Sequence, residues 1–182
     1  CGFTHGVMNT DNMSITGLTL DYGPFGFLEE YSTEYIPNHS DHFGRYSFGN
    51  QPAIALWNLQ KLAEALGSLV PRELSQEIVF GFRGLYGKYY LDIMRKKLGL
   101  LKEDEGDPAL IKGLLAILEE TKADYTNFMR GLGDFPARAE DENVDTVEAY
   151  PAFKEWAAAY KRRLVSEGSV DAERKEAMSS GN

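Results

Sequence analysis

Cysteine is almost missing from this chain: Cys1 is the sole thiol in 182 residues. An intrachain disulfide is therefore impossible, and a structural zinc site finds too few soft ligands, as suits a reducing compartment. Basic residues are also scarce, 19 Lys and Arg against 28 Asp and Glu, which leaves a net charge of −9. That balance argues against nucleic acid as a partner, because sequence-independent binding needs a basic footprint. No run of about 18 apolar residues occurs, so no segment reads as a membrane span. An initiator Met, a basic n-region and a targeting signature are lacking as well. The chain starts straight on CGFTHG, and the expectation is a piece of a longer protein.

What is present is ordinary for a globular domain: 43% hydrophobic and 26% charged residues, with ten Tyr and ten Phe to fill one core. Residues 1–50 carry no helical period. Within them, Met13–Thr16 and Leu18–Leu20 read as a small hairpin about Gly17, followed by turn chemistry in DYGPFGF. The segment 29–50 is polar, irregular and long enough to have a job.

From Pro52 the chain turns helical. Ala55, Leu59, Leu62 and Leu66 repeat at helical spacing up to Gly67, and a second helix over 73–98 sets Ile78, Phe82, Leu85, Tyr89 and Ile93 on one stripe. Gly81, Gly84 and Gly87 predict a break or a close helix contact there. After an acidic linker, Asp107-Pro108 supplies an N-cap and a first-turn Pro for a third helix running to about Arg130. Residues 131–149 read as an acidic, solvated loop that includes AEDENVD, a fourth helix covers 151–167, and a short one follows Val170. The fold class is mainly α, with Trp57 and Trp156 expected in the core.

The informative stretch is HGVMNTDNMSITGLTLDYG, residues 5–23. It sets the pair Asp11-Asn12 ahead of Asp21, with Asn12 nine residues before it. A magnesium ion on a nucleotide's phosphates prefers hard oxygen donors and keeps several waters, so one carboxylate and one amide oxygen suffice to hold it. On the spacing of a protein-kinase catalytic loop, His5 takes the His position, Asn12 the metal-binding Asn, and Asp21-Tyr22-Gly23 the D-F-G. The position of the usual catalytic base is Val7, which cannot take a proton. The nearest carboxylate is Asp11. Either the base has moved, or the chain is a pseudokinase. A turn in which an Asp caps backbone amides fits the same spacing, and the residues alone leave that reading open. His5 reads as a brace for the loop. His39, Asp41 and His42 suggest turn hydrogen bonds rather than a metal site.

The wording of the segment goes further. HGVMNTDNMSITGLTLDYGPFGFLEEY closely resembles the signature of the selenoprotein O (SelO) family, and NHSDHFGRYSFGNQPAIALWNLQKLA resembles its next block. ADYTNFMRGL and PAFKEWAAAYKRRL resemble its helical C-terminal lobe. The resemblance implies a partial protein-kinase-like fold with a short β-hairpin at the metal-binding loop, residues 1–50 carrying the catalytic and activation-like loops and 51–182 the helical lobe. It implies transfer of AMP from ATP to Ser, Thr or Tyr hydroxyls of protein substrates, with pyrophosphate leaving. Asp11 then matches the proton acceptor, Asn12 a ligand of Mg2+ (or Mn2+), and Asp21 a ligand to both metal and nucleotide. The alternatives are a conventional phosphotransferase and a non-catalytic pseudokinase-type binding protein. The family's N-terminal lobe, which grips the triphosphate, has no counterpart here, so these 182 residues alone are expected to bind ATP poorly and transfer nothing. Members are mitochondrial in eukaryotes and cytoplasmic in bacteria.

Overall fold

The computed structural model describes residues 2–18, 23–134 and 151–179. It is mainly helical, with one two-stranded antiparallel sheet. In that sheet β1 (Phe3–Thr4) pairs with β2 (Gly26–Phe27), Phe3 opposite Phe27 and Thr4 opposite Gly26. Among the described residues six α-helices follow: α1 (Gln51–Ala65), α2 (Arg72–Lys97), α3 (Asp107–Thr121), α4 (Tyr125–Gly131), α5 (Pro151–Glu167) and α6 (Asp171–Ser179). No helix among the described residues is long and apolar enough to cross a membrane.

Two compact units divide the chain, the first made of Glu29–Tyr31 with residues from Tyr90 onward, the second of Gly2–Leu28 with Ser32–Tyr89. The first has the better-filled core. Trp156 stacks on Tyr160 at 4.9 Å and donates its indole N–H to the Leu110 carbonyl at 2.8 Å, which seats α5 against α3. Tyr160, fully buried, donates its hydroxyl to the Leu98 carbonyl at 2.6 Å, and burial pushes that phenol's pKa up. Ile111, Leu114, Leu118 and Leu164 close the core.

Beside it lies a buried ionic network. Asp107 accepts from Arg95 Nε and Arg163 Nε, each at 2.8 Å, and from the Asp104 N–H at 3.0 Å. Arg163 reaches on to Glu167 at 2.8 Å, whose other oxygen accepts from the Leu101 N–H.

The α2 helix ends in a left-handed turn. Gly99 has φ +62, and the Leu100 N–H reaches back to the Arg95 carbonyl. A Cβ there would stand 2.9 Å from the Met178 sulfur.

Several expectations are corrected. The third helix is two: Lys122 breaks it at φ 54, and Asp124 caps α4 by accepting the Asn127 N–H at 2.9 Å. Asp107 does not cap α3 but is its first helical residue, with Gly106 at the N-cap. In α1 the buried positions are Ile54 and Asn58, one step round from the anticipated stripe, and Trp57 is 38% exposed with the Arg45 guanidinium 4.8 Å over its ring. The α2 stripe is largely exposed, Ile78, Leu85 and Tyr89 among it, because none of the described residues covers it.

The glycines of α2 neither break the helix nor mark a contact, since a Cβ at Gly81, Gly84 or Gly87 would meet nothing within 4 Å. Gly84→Ala is therefore expected to stabilise this chain by about 0.5–1 kcal/mol, read as a higher urea midpoint at unchanged slope. The acidic AEDENVD run lies outside the described residues.

Candidate active site

The β1–β2 pairing closes the base of the loop that carries the motif. Its entry depends on Gly6: φ is +80, and a Cβ would come within 2.3 Å of the Pro24 carbonyl oxygen. From there the chain runs to a single 3-10 turn, Thr10–Asn12. The anticipated hairpin is seen only in its first half, where Gly17 (φ +76) donates to the Ser14 carbonyl at 3.0 Å. Most of its return strand, and Asp21 with it, lies outside the described residues.

Asp11 and Asn12 sit side by side on the 3-10 turn. Asp11 is exposed, and its carboxylate makes no hydrogen bond among the described residues. Asn12 is half-buried and donates its amide N–H to the Val7 carbonyl at 3.0 Å. That bond turns the amide so that its oxygen is the end with no hydrogen bond among the described residues. An amide oxygen is a hard donor of the kind a magnesium ion with bound water accepts, and the carboxylate expected to share that ion, Asp21, lies outside the described residues.

The rest of the site is scaffolding. His5 Nδ1 accepts the Val7 N–H at 3.3 Å, a local bond that makes the side chain a brace for the loop. Gln51, at the start of α1, accepts the His5 N–H at 3.0 Å and donates to the Phe3 carbonyl at 3.1 Å. Asn58 donates to the Met8 carbonyl at 2.9 Å. From the irregular segment, Asn38 donates to the Gly6 carbonyl at 3.2 Å and the Tyr46 hydroxyl donates to Asn9 Oδ1. That segment is itself held by Asp41, whose two oxygens accept the Arg45 and Tyr46 N–H groups at 2.9 and 2.7 Å. Asp41 is thus spent on a turn, and no group of three His, Cys, Asp or Glu residues gathers among the described residues. Sequence reasoning missed Asn38, Tyr46, Gln51 and Asn58, whose contacts lie 32 to 50 positions away in the chain.

A cleft of about 730 Å3 opens elsewhere, between α1 and α2, lined by Leu56, Gln60, Val79, Phe80 and Arg83 among others. It includes neither Asp11 nor Asn12.

Comparison with known proteins gives this geometry its context. Over 184 residues the chain is 46% identical to protein nucleotidyltransferase YdiU of Myxococcus xanthus (strain DK1622), covering all of this chain and 38% of that protein. Over 186 residues it is 44% identical to protein nucleotidyltransferase YdiU of Pectobacterium carotovorum subsp. carotovorum (strain PC1), with the same coverage. The class is therefore that of proteins named as protein nucleotidyltransferases. The family model described as protein adenylyltransferase SelO matches residues 1–182, and the chain belongs to the SelO family. It spans 38% of the length of the two relatives.

Proposed function

We propose that the protein carrying these residues is an adenylyltransferase with a protein-kinase-like fold, moving AMP from ATP to Ser, Thr or Tyr hydroxyls of other proteins. The observation that carries the reading is the Thr10–Asn12 turn: a carboxylate beside an amide oxygen, neither hydrogen-bonded among the described residues, on a loop held from several sides. In the reaction, the acceptor hydroxyl oxygen bonds to the α-phosphorus and the bond from that phosphorus to the bridging oxygen of the β-phosphate breaks. Pyrophosphate leaves with the bond's electron pair. Asp11 takes the hydroxyl proton. Asn12 and Asp21 hold the Mg2+ or Mn2+, which supplies charge neutralisation on the phosphate oxygens when bound.

Val7, where a kinase places its base, favours this over conventional phosphoryl transfer, because it leaves the ordinary position without a proton acceptor. The discriminating experiment gives the full-length gene product ATP labelled at either the α- or the γ-phosphate, with casein or a lysate as acceptor. Label on protein from the α-position alone is the expected result. Transfer of the γ-label would make it a kinase, and transfer of neither, with ATP still bound, a binding protein.

A further inference from the structure

Asn58 stands out among the buried groups. It lies one helical turn after Ile54 on the buried face of α1 and is only 4% exposed. Its amide nitrogen donates to the Met8 carbonyl at 2.9 Å and lies against the Met13 sulfur. Met8 precedes the Thr10–Asn12 turn and Met13 directly follows it. One rigid side chain on a helix therefore spans the turn that carries Asp11 and Asn12.

Its oxygen, meanwhile, is buried and has no hydrogen-bond partner among the described residues. A buried carbonyl without a partner opposes folding, and an apolar side chain of the same shape would avoid that penalty. A sulfur is also a weak acceptor, so the contact with Met13 returns little stability of its own. Stability alone is thus a poor reason for an amide at this position. Geometry is a better one.

We propose that Asn58 is a positioning residue of the transfer reaction, holding the Asp11–Asn12 turn in register through Met8 and Met13. The inference rests on the role given above to Asp11 and Asn12. Side chains that set reacting groups are held in turn by a supporting layer, and loss of that layer acts on rate even where nothing touches substrate.

The test uses Asn58→Leu, close in shape and without donors, in the full-length gene product. Amide hydrogen exchange across Met8–Met13 is expected to quicken at least tenfold, kcat for α-label transfer to fall about 10–100-fold, and KM for ATP to change less than threefold, with the thermal midpoint unchanged or higher. Met13→Leu, at a position already 36% exposed, replaces the sulfur that Asn58 touches. It is expected to show the same pattern at two- to fivefold, and it carries the test should Asn58→Leu fail to fold. Exchange and kcat within twofold of the parent in the folded variants would overturn the role of Asn58 while leaving the reaction intact. A parent protein that transfers no α-label would instead remove the reading beneath it, and the exchange rates would still report whether Asn58 holds the turn.

Discussion

Asp11→Asn is expected to lower the rate of AMP transfer by about 10²–10⁴-fold, the usual range for loss of a positioned general base. The substitution keeps the shape of the side chain and removes its ability to accept a proton. Asp11 is exposed and makes no hydrogen bond among the described residues, so folding loses nothing measurable; exposed substitutions of this kind stay within about 0.5 kcal/mol. The metal-binding pair proposed for Asn12 and Asp21 is untouched. KM for ATP should therefore hold within a few-fold while kcat collapses, a pattern that separates lost chemistry from lost binding. Steady-state rates with α-labelled ATP provide the check. A variant with near-normal kcat would remove Asp11 from the mechanism and leave the acceptor proton to solvent.

The second large effect concerns stability. In Asp107→Ala, the guanidinium groups of Arg95 and Arg163 lose the carboxylate that both Nε atoms address at 2.8 Å. Those side chains are only 12% and 10% exposed, so the charges cannot recover full hydration. Removing one member of a buried ion network in this way costs about 3–5 kcal/mol, a large fraction of a domain's total. Urea unfolding of this chain, followed by far-ultraviolet circular dichroism, measures it. A loss below about 1 kcal/mol would mean that water reaches both guanidinium groups.

The same site sets an acid limb. Burial by itself would raise the Asp107 carboxyl, but the hydrogen bonds from Arg163 and Arg95 outweigh it and hold the group below the ordinary carboxylate range. A depressed folded-state pKa means that the stabilisation is complete above the unfolded value of about 3.9 and is lost as pH falls through the folded one. Stability plotted against pH should therefore drop on the acid side in the parent. The drop should be smaller in Asp107→Ala, which has no such proton to gain.

How much of this could be read without coordinates differs from element to element. The ends of α1, α2 and α5 were legible because Pro52, Gly99 and Pro151 impose backbone conformations that do not depend on tertiary context. The break between α3 and α4 was not, because the apolar repeat runs straight through it and the left-handed residue is Lys122 rather than a glycine. Periodicity also gave the wrong face of α1. Leu62 and Leu66 repeat correctly yet are each 37% exposed, and the buried face holds the polar Asn58. Amphipathic spacing says that a face exists, not which neighbours cover it.

At the site, Asp11 and Asn12 are neighbours in the chain, so their place side by side on one turn was legible. The side chains that hold its loop were not. A carboxamide donating to a carbonyl 32 or 50 residues away leaves no periodic trace and no charge pattern.

The nature of those holding groups has its own consequence. Asn38, Gln51, Asn58 and Tyr46 grip the loop with three carboxamides and a phenol, through hydrogen bonds and not ion pairs. Dissolved electrolyte has no Coulomb attraction to weaken in such a framework. Salt should therefore leave the shape of this loop unchanged, which amide hydrogen exchange across Met8–Met13 at low and high ionic strength would read.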